Sequence, residues 1–119
     1  MTEVKPLYWI GSSKQDLKSL PEEVQDLFGY ALYLAQEGRK HVDAKPLQGF
    51  GSAGVLEVVE DWHGDTYRAV YTVRFRAAVF VLHVFKKKSK VGVKTPKHDL
   101  DIIHQRFKVA EAKAKELAP

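Results

Sequence analysis

The chain has no cysteine and only one methionine. Without thiols there is neither a disulfide framework nor a thiolate metal centre, and a reducing cytoplasm is the expected setting. Long apolar runs are also missing. No stretch approaches the roughly 18 apolar residues that a membrane span needs, and the N-terminus shows no basic-then-apolar leader. Five histidines (41, 63, 83, 98 and 104) fall at no metal-binding spacing, so no metal or other cofactor is expected. GFGSAG at 49–54 lacks the Lys-Ser/Thr that completes a phosphate-cradling loop, and GSS at 11–13 lacks the form of a nucleophile elbow. These absences remove most metal-dependent, nucleotide-hydrolysing and serine-nucleophile chemistries.

What is present is enough for one packed domain over 1–119. The composition is 45% hydrophobic and 11% aromatic, which argues against disorder. Acid is scarce in the second half. Residues 67–119 hold thirteen Lys/Arg against four Asp/Glu, a net of +9, whereas 1–37 carry −3 and 38–66 carry −2. Six lysines (86, 87, 88, 90, 94 and 97) fall within 86–97 with no carboxylate among them. Six uncompensated cations repel one another until an anion arrives, so a polyanionic partner is expected.

Pattern along the chain predicts a short strand at 4–11 and a short helix opened by a Ser12/Gln15 capping box. Ser19 and Glu22 repeat that device before a helix over 21–37, followed by a loop over 38–53. Strands are expected at 55–61, 66–75 and 78–86, joined by WHGD (62–65) and by a tight link at Arg76-Ala77. Thr95 is the expected N-cap of a final helix, whose apolar stripe is Leu100, Ile103, Phe107, Ala110, Ala114 and Leu117. The class is α+β, with helices on one face of an antiparallel sheet.

Strand alternation then sorts side chains by face. Leu56 and Val58, the set Tyr67, Ala69, Tyr71, Val73 and Phe75, and the set Phe80, Leu82 and Val84 are expected to pack under the helices. Glu57, Arg68, Arg74, His83 and Lys87 are expected on the opposite, open face, and a bulge would flip part of that set. Basic residues on that face and at the strand end would form one continuous patch.

WIGSSKQDLKSLPEEV, KPLQGFGSAGVLEVVED, TYRAVYTVRF, AVFVLHVFKKKSK and KTPKHDLDIIHQRF, in this order and spacing over about residues 7–108, resemble the phage-derived HigB-like branch of the RelE/ParE toxin superfamily. The resemblance implies a curved antiparallel sheet with two N-terminal helices packed on one face, here extended by a C-terminal helix. It implies the toxin of a type II toxin–antitoxin system, a ribosome-dependent mRNA endonuclease that inhibits translation. Its partners would be mRNA, the ribosome and a cognate antitoxin, often of helix-turn-helix type, in a toxin–antitoxin hetero-oligomer. Arg68 matches a strand arginine that RelE-type toxins place at the scissile phosphate. Lys87 matches a catalytic basic position just after the last strand, here Lys rather than Arg. The candidate catalytic set is Arg68 and Lys87 on the phosphate, Glu57 (or a lysine) as base and His83 as acid, with Arg74, Lys86, Lys88 and Lys90 holding RNA. Two alternatives stay open: a ParE-like inhibitor of DNA gyrase, and a non-catalytic nucleic-acid-binding phage-related protein.

Overall fold

The computed structural model describes residues 4–87 and 95–118. Along them run β1 (Leu7–Trp9), α1 (Ser13–Lys18), α2 (Glu22–Gln36), β2 (Ala44–Pro46), β3 (Val55–Trp62), β4 (Asp65–Thr72), β5 (Val79–Lys87) and α3 (Lys97–Leu117). The five strands form one sheet in the order β1-β5-β4-β3-β2, with β1 parallel to β5 and the other neighbours antiparallel. The α+β class with two N-terminal helices and a C-terminal helix is therefore observed, on a sheet made mixed by β1.

The β3–β4 hairpin turns at His63-Gly64, both with positive φ (51° and 84°). That is the mirror-image two-residue turn whose twist matches paired strands, and glycine supplies its second position without steric cost. β4 stops at Thr72 rather than running to 75. The Thr72 hydroxyl lies 3.0 Å from the Gly54 carbonyl oxygen and accepts from the Arg74 amide at 3.1 Å, so the chain turns away there. The link to β5 is longer than the expected two residues. The expected loop over 38–53 contains β2, a short edge strand on β3 that ends at Pro46, where the missing N–H suits an edge.

Neither capping box forms. Ser12 donates instead to the Asp16 carboxylate (2.7 Å), and Ser19 to the Asp16 carbonyl (2.7 Å). Thr95 makes no cap either, because α3 starts after Pro96.

Both faces of the sheet are covered. Leu56, Val58, Tyr67, Ala69, Tyr71, Val79 and Val81 pack with Val24, Phe28, Ala31, Leu32 and Ala35 of α2. Val55, Val70, Phe80 and Leu82 pack with Ile103, Ala110 and Ala114 of α3. The third helix thus lies on the opposite face from the other two, contrary to the one-faced expectation. The face that looked open is the one α3 occupies. A bulge explains the parity error in β5: Val70 pairs with His83 and Tyr71 with Val81, leaving Leu82 as the extra residue. Beyond it Val84 joins Val79 and Val81 on the α2 face, while His83, Phe85 and Lys87 share the α3 face with Phe80 and Leu82.

Among the described residues the Tyr71 hydroxyl is buried with no hydrogen-bond partner, and burial pushes its ionisation up to about 12. Deleting an unsatisfied buried hydroxyl removes a desolvation penalty. Tyr71→Phe should leave urea-unfolding stability unchanged or raise it by up to about 1 kcal/mol. A clear loss would show that the hydroxyl is in fact satisfied.

Candidate functional site

Three adjacent strands bring the site together. Glu57 of β3 pairs across with Val70, and Val59 with Arg68, so Glu57 and Arg68 are diagonal neighbours on the α3 face. The Arg68 Nη1 donates to Glu57 Oε2 at 2.9 Å. The same nitrogen donates to the Thr95 hydroxyl at 3.3 Å. In β5, Phe85 pairs with Arg68 and Lys87 with Thr66, which sets Lys87 diagonally beside Arg68 on that face. Glu57, Arg68 and Lys87 are only 5%, 4% and 7% exposed.

At such depth a charge needs a partner, and removing one member of a buried pair costs about 3–5 kcal/mol because the other is left uncompensated. The Lys87 ammonium is pushed below its ordinary 10.5 chiefly by burial, then by the Arg68 guanidinium, while the Glu57 carboxylate opposes the shift. A lysine whose pKa is lowered gives up its proton more readily than an exposed one.

His83 belongs to a second network. Its Nε2 lies 2.8 Å from Asp99 Oδ1 and its Nδ1 lies 3.4 Å from Arg106 Nη1. Arginine only donates, so Nδ1 accepts and the Nε2–H donates to the carboxylate. Both nitrogens are thus engaged in the neutral ring, and burial lowers its pKa against the pull of Asp99. The ring stacks on Phe85 with centroids 4.6 Å apart, and Phe85 stands between it and Lys87 along the strand. Arg106 ties this network together, donating to the Leu82 carbonyl (2.9 Å) and to the Ser12 hydroxyl (3.1 Å). It passes over Gly11, where a Cβ would meet the guanidinium at 2.7 Å.

The remaining residues of the candidate set are not gathered here. Arg74 is exposed beyond the far end of β4, after the chain has turned away at Thr72. Lys86 points away from Lys87 and pairs with Asp65 at 3.2 Å. Lys88 and Lys90 lie outside the described residues. The continuous patch that strand alternation suggests therefore divides, within the described residues, into a buried cluster and separate exposed cations. Sequence reasoning missed Thr95, which reads as an N-cap, and Arg106, an arginine on an apparently amphipathic helix. For Arg106 the only signal was Gly11, the one residue that admits its guanidinium. Among the described residues no three His, Asp or Glu side chains converge to hold a metal, and no helix is long and apolar enough to cross a membrane.

Two titrations check this geometry. The Lys87 amine, followed by side-chain NMR, should titrate below 10.5, and Glu57→Gln should lower the midpoint further by removing the opposing carboxylate. For His83 the folded value lies below the ordinary 6.5, so the unfolded chain takes up the proton first. Urea-unfolding stability should fall as pH drops below about 6.5, and His83→Gln should flatten that slope.

Residues 15–108 match the family described as phage-derived protein Gp49-like (DUF891). No curated protein and no solved structure matches the chain. The matched span begins in α1, contains β2 to β5 with Glu57, Arg68, Lys87 and Thr95, and ends within α3. On that coverage, the chain belongs to the phage-derived Gp49-like family.

Proposed function

We propose that this chain is the toxin of a type II toxin–antitoxin module, of the HigB-like branch of the RelE/ParE superfamily, and that it cleaves mRNA on the translating ribosome. Its family is associated with RelE-like toxins. The observation that carries the reading is the convergence of Glu57, Arg68 and Lys87 on one sheet face, in a chain whose sequence holds six lysines and no carboxylate over 86–97.

In the proposed reaction the ribose 2′-oxygen attacks the adjacent phosphorus and the P–O5′ bond breaks, leaving a 2′,3′-cyclic phosphate and a 5′-hydroxyl. One group takes the 2′-hydroxyl proton and another returns a proton to O5′. Lys87, with its depressed pKa, or Glu57 serves as base. The Arg68 guanidinium stabilises charge growing on the non-bridging oxygens. The neighbouring lysines hold the backbone by charge, with an affinity that falls as salt rises. The ribosome orients the message, supplying the positioning that a small protein without a strong acid–base dyad lacks. A cognate antitoxin, of helix-turn-helix type, silences the toxin by covering the basic side in a toxin–antitoxin complex.

One observation favours a second reading. A cluster this buried also suits a structural core for a protein that binds gyrase or nucleic acid and cleaves nothing. Inducible expression in bacteria with primer extension on a reporter message separates the two. Lys87→Ala leaves the Glu57–Arg68 pair intact and should lower cleavage by about 100-fold or more. Lys87→Arg should retain RNA binding without restoring the rate. Undiminished cleavage in Lys87→Ala refutes the site assignment, and inhibited supercoiling without mRNA cleavage refutes the nuclease reading.

A further inference from the structure

A cleft of about 240 Å³ opens beside the cluster, between β2 and its following residues, β3 and the start of α3. Pro46 and Leu47 line it from the β2 side, and Leu100 from the first turn of α3. Glu57 and Thr95 also line it, with Gln48 and Lys45. The volume is below the roughly 300 Å³ where pockets for drug-sized ligands begin, so it suits a single planar ring system.

Its chemistry narrows the occupant. Apolar surfaces from two elements suit the faces of an aromatic ring. The Gln48 amide both donates and accepts, the Thr95 hydroxyl does the same, and the Glu57 carboxylate only accepts. The carboxylate repels a phosphate placed inside, whereas an exocyclic amino group is attracted to it, as when carboxylates accept from the cytosine N4 amine. A cation stands at the right place for an anion outside: Lys45 is exposed and sits directly across from Glu57 in the β2–β3 register, on the same face.

We infer that this cleft binds one unpaired, amino-bearing nucleobase of the RNA, with its phosphate held outside by Lys45. The inference rests on the RNA-cleaving reading and extends it. The base enters next to Glu57 and Thr95, the two side chains that hold Arg68, so the base that occupies the cleft sets which backbone position faces Arg68 and Lys87. Base identity is read on unstacked single strands, by stacking and by hydrogen bonds to the base edge. Uracil has no exocyclic amine to offer Glu57 and is disfavoured.

The test titrates the isotope-labelled full chain with CMP and with UMP up to millimolar concentration, observed by NMR without ribosomes. Signals of the Gln48 side-chain amide and of the Leu47 and Leu100 methyls should move, with CMP binding about 3- to 10-fold tighter than UMP. Gln48→Ala should weaken CMP binding by a similar factor and redistribute the bases found at cleavage sites. Lys14→Ala, on the exposed side of α1, serves as the control and should change neither. Shifts confined to other surfaces, or equal binding of CMP and UMP unaffected by Gln48→Ala, overturn the inference. Cleavage with no nucleotide in the cleft leaves the nuclease reading standing and this inference refuted. Nucleotide in the cleft with no cleavage does the reverse.

Discussion

The ion pair between Arg68 and Glu57 governs the organisation of the α3 face. Two strands that pair through backbone hydrogen bonds also place a guanidinium and a carboxylate diagonally, 2.9 Å apart, almost out of water. Such a pair adds little net stability over an apolar replacement, yet neither member can be buried without the other. It therefore divides the face under α3 into two halves. Phe80, Leu82, Ile103, Ala110 and Ala114 make a dry half, and Glu57, Arg68, Lys87 and Thr95 make a charged half at the start of the helix.

The halves differ in what they can do. Apolar packing holds α3 in place and fixes the backbone near the cluster. The charged half concentrates one anion and two cations in a low-dielectric setting, where interactions between charges strengthen and a lysine is driven towards its neutral form. Burial and the Arg68 guanidinium together lower the Lys87 pKa, while Glu57 opposes them, so the protonation of this lysine depends on its two strand neighbours. The adjoining cleft has Glu57 and Thr95, two of the four residues of the charged half, in its lining.

The His83 network lies further along β5 on the same face, beyond Phe85. Arg106 reaches from α3 to the Leu82 carbonyl, the His83 ring and the Ser12 hydroxyl, joining the two helical layers across the sheet edge where β1 ends. The bulge at Leu82 is what turns His83 towards α3, and Gly11 is what lets the guanidinium pass. Fold and site are coupled through these local departures from regular structure.

Much of this was legible in one dimension. Helical spacing located α2 and α3, and alternation put Glu57 and Arg68 on the same face. The concentration of lysines between 86 and 97 was plain from charge alone. These features depend on residues near in sequence, whose geometry follows from the repeat of a helix or strand. The rest depended on distant partners. Which face received α3, and so whether Arg68 was exposed or buried, was decided by the fit of the apolar stripe of α3 to Val70, Phe80 and Leu82. Thr95 looked like a helix cap and became an arginine ligand because the fold brought it to a donor 27 positions earlier. The sequence by itself determined the elements and their amphipathic sides, since periodicity is a local property. Only the tertiary structure decided burial, pairing and the cleft, since these arise where segments far apart in the chain exclude water together.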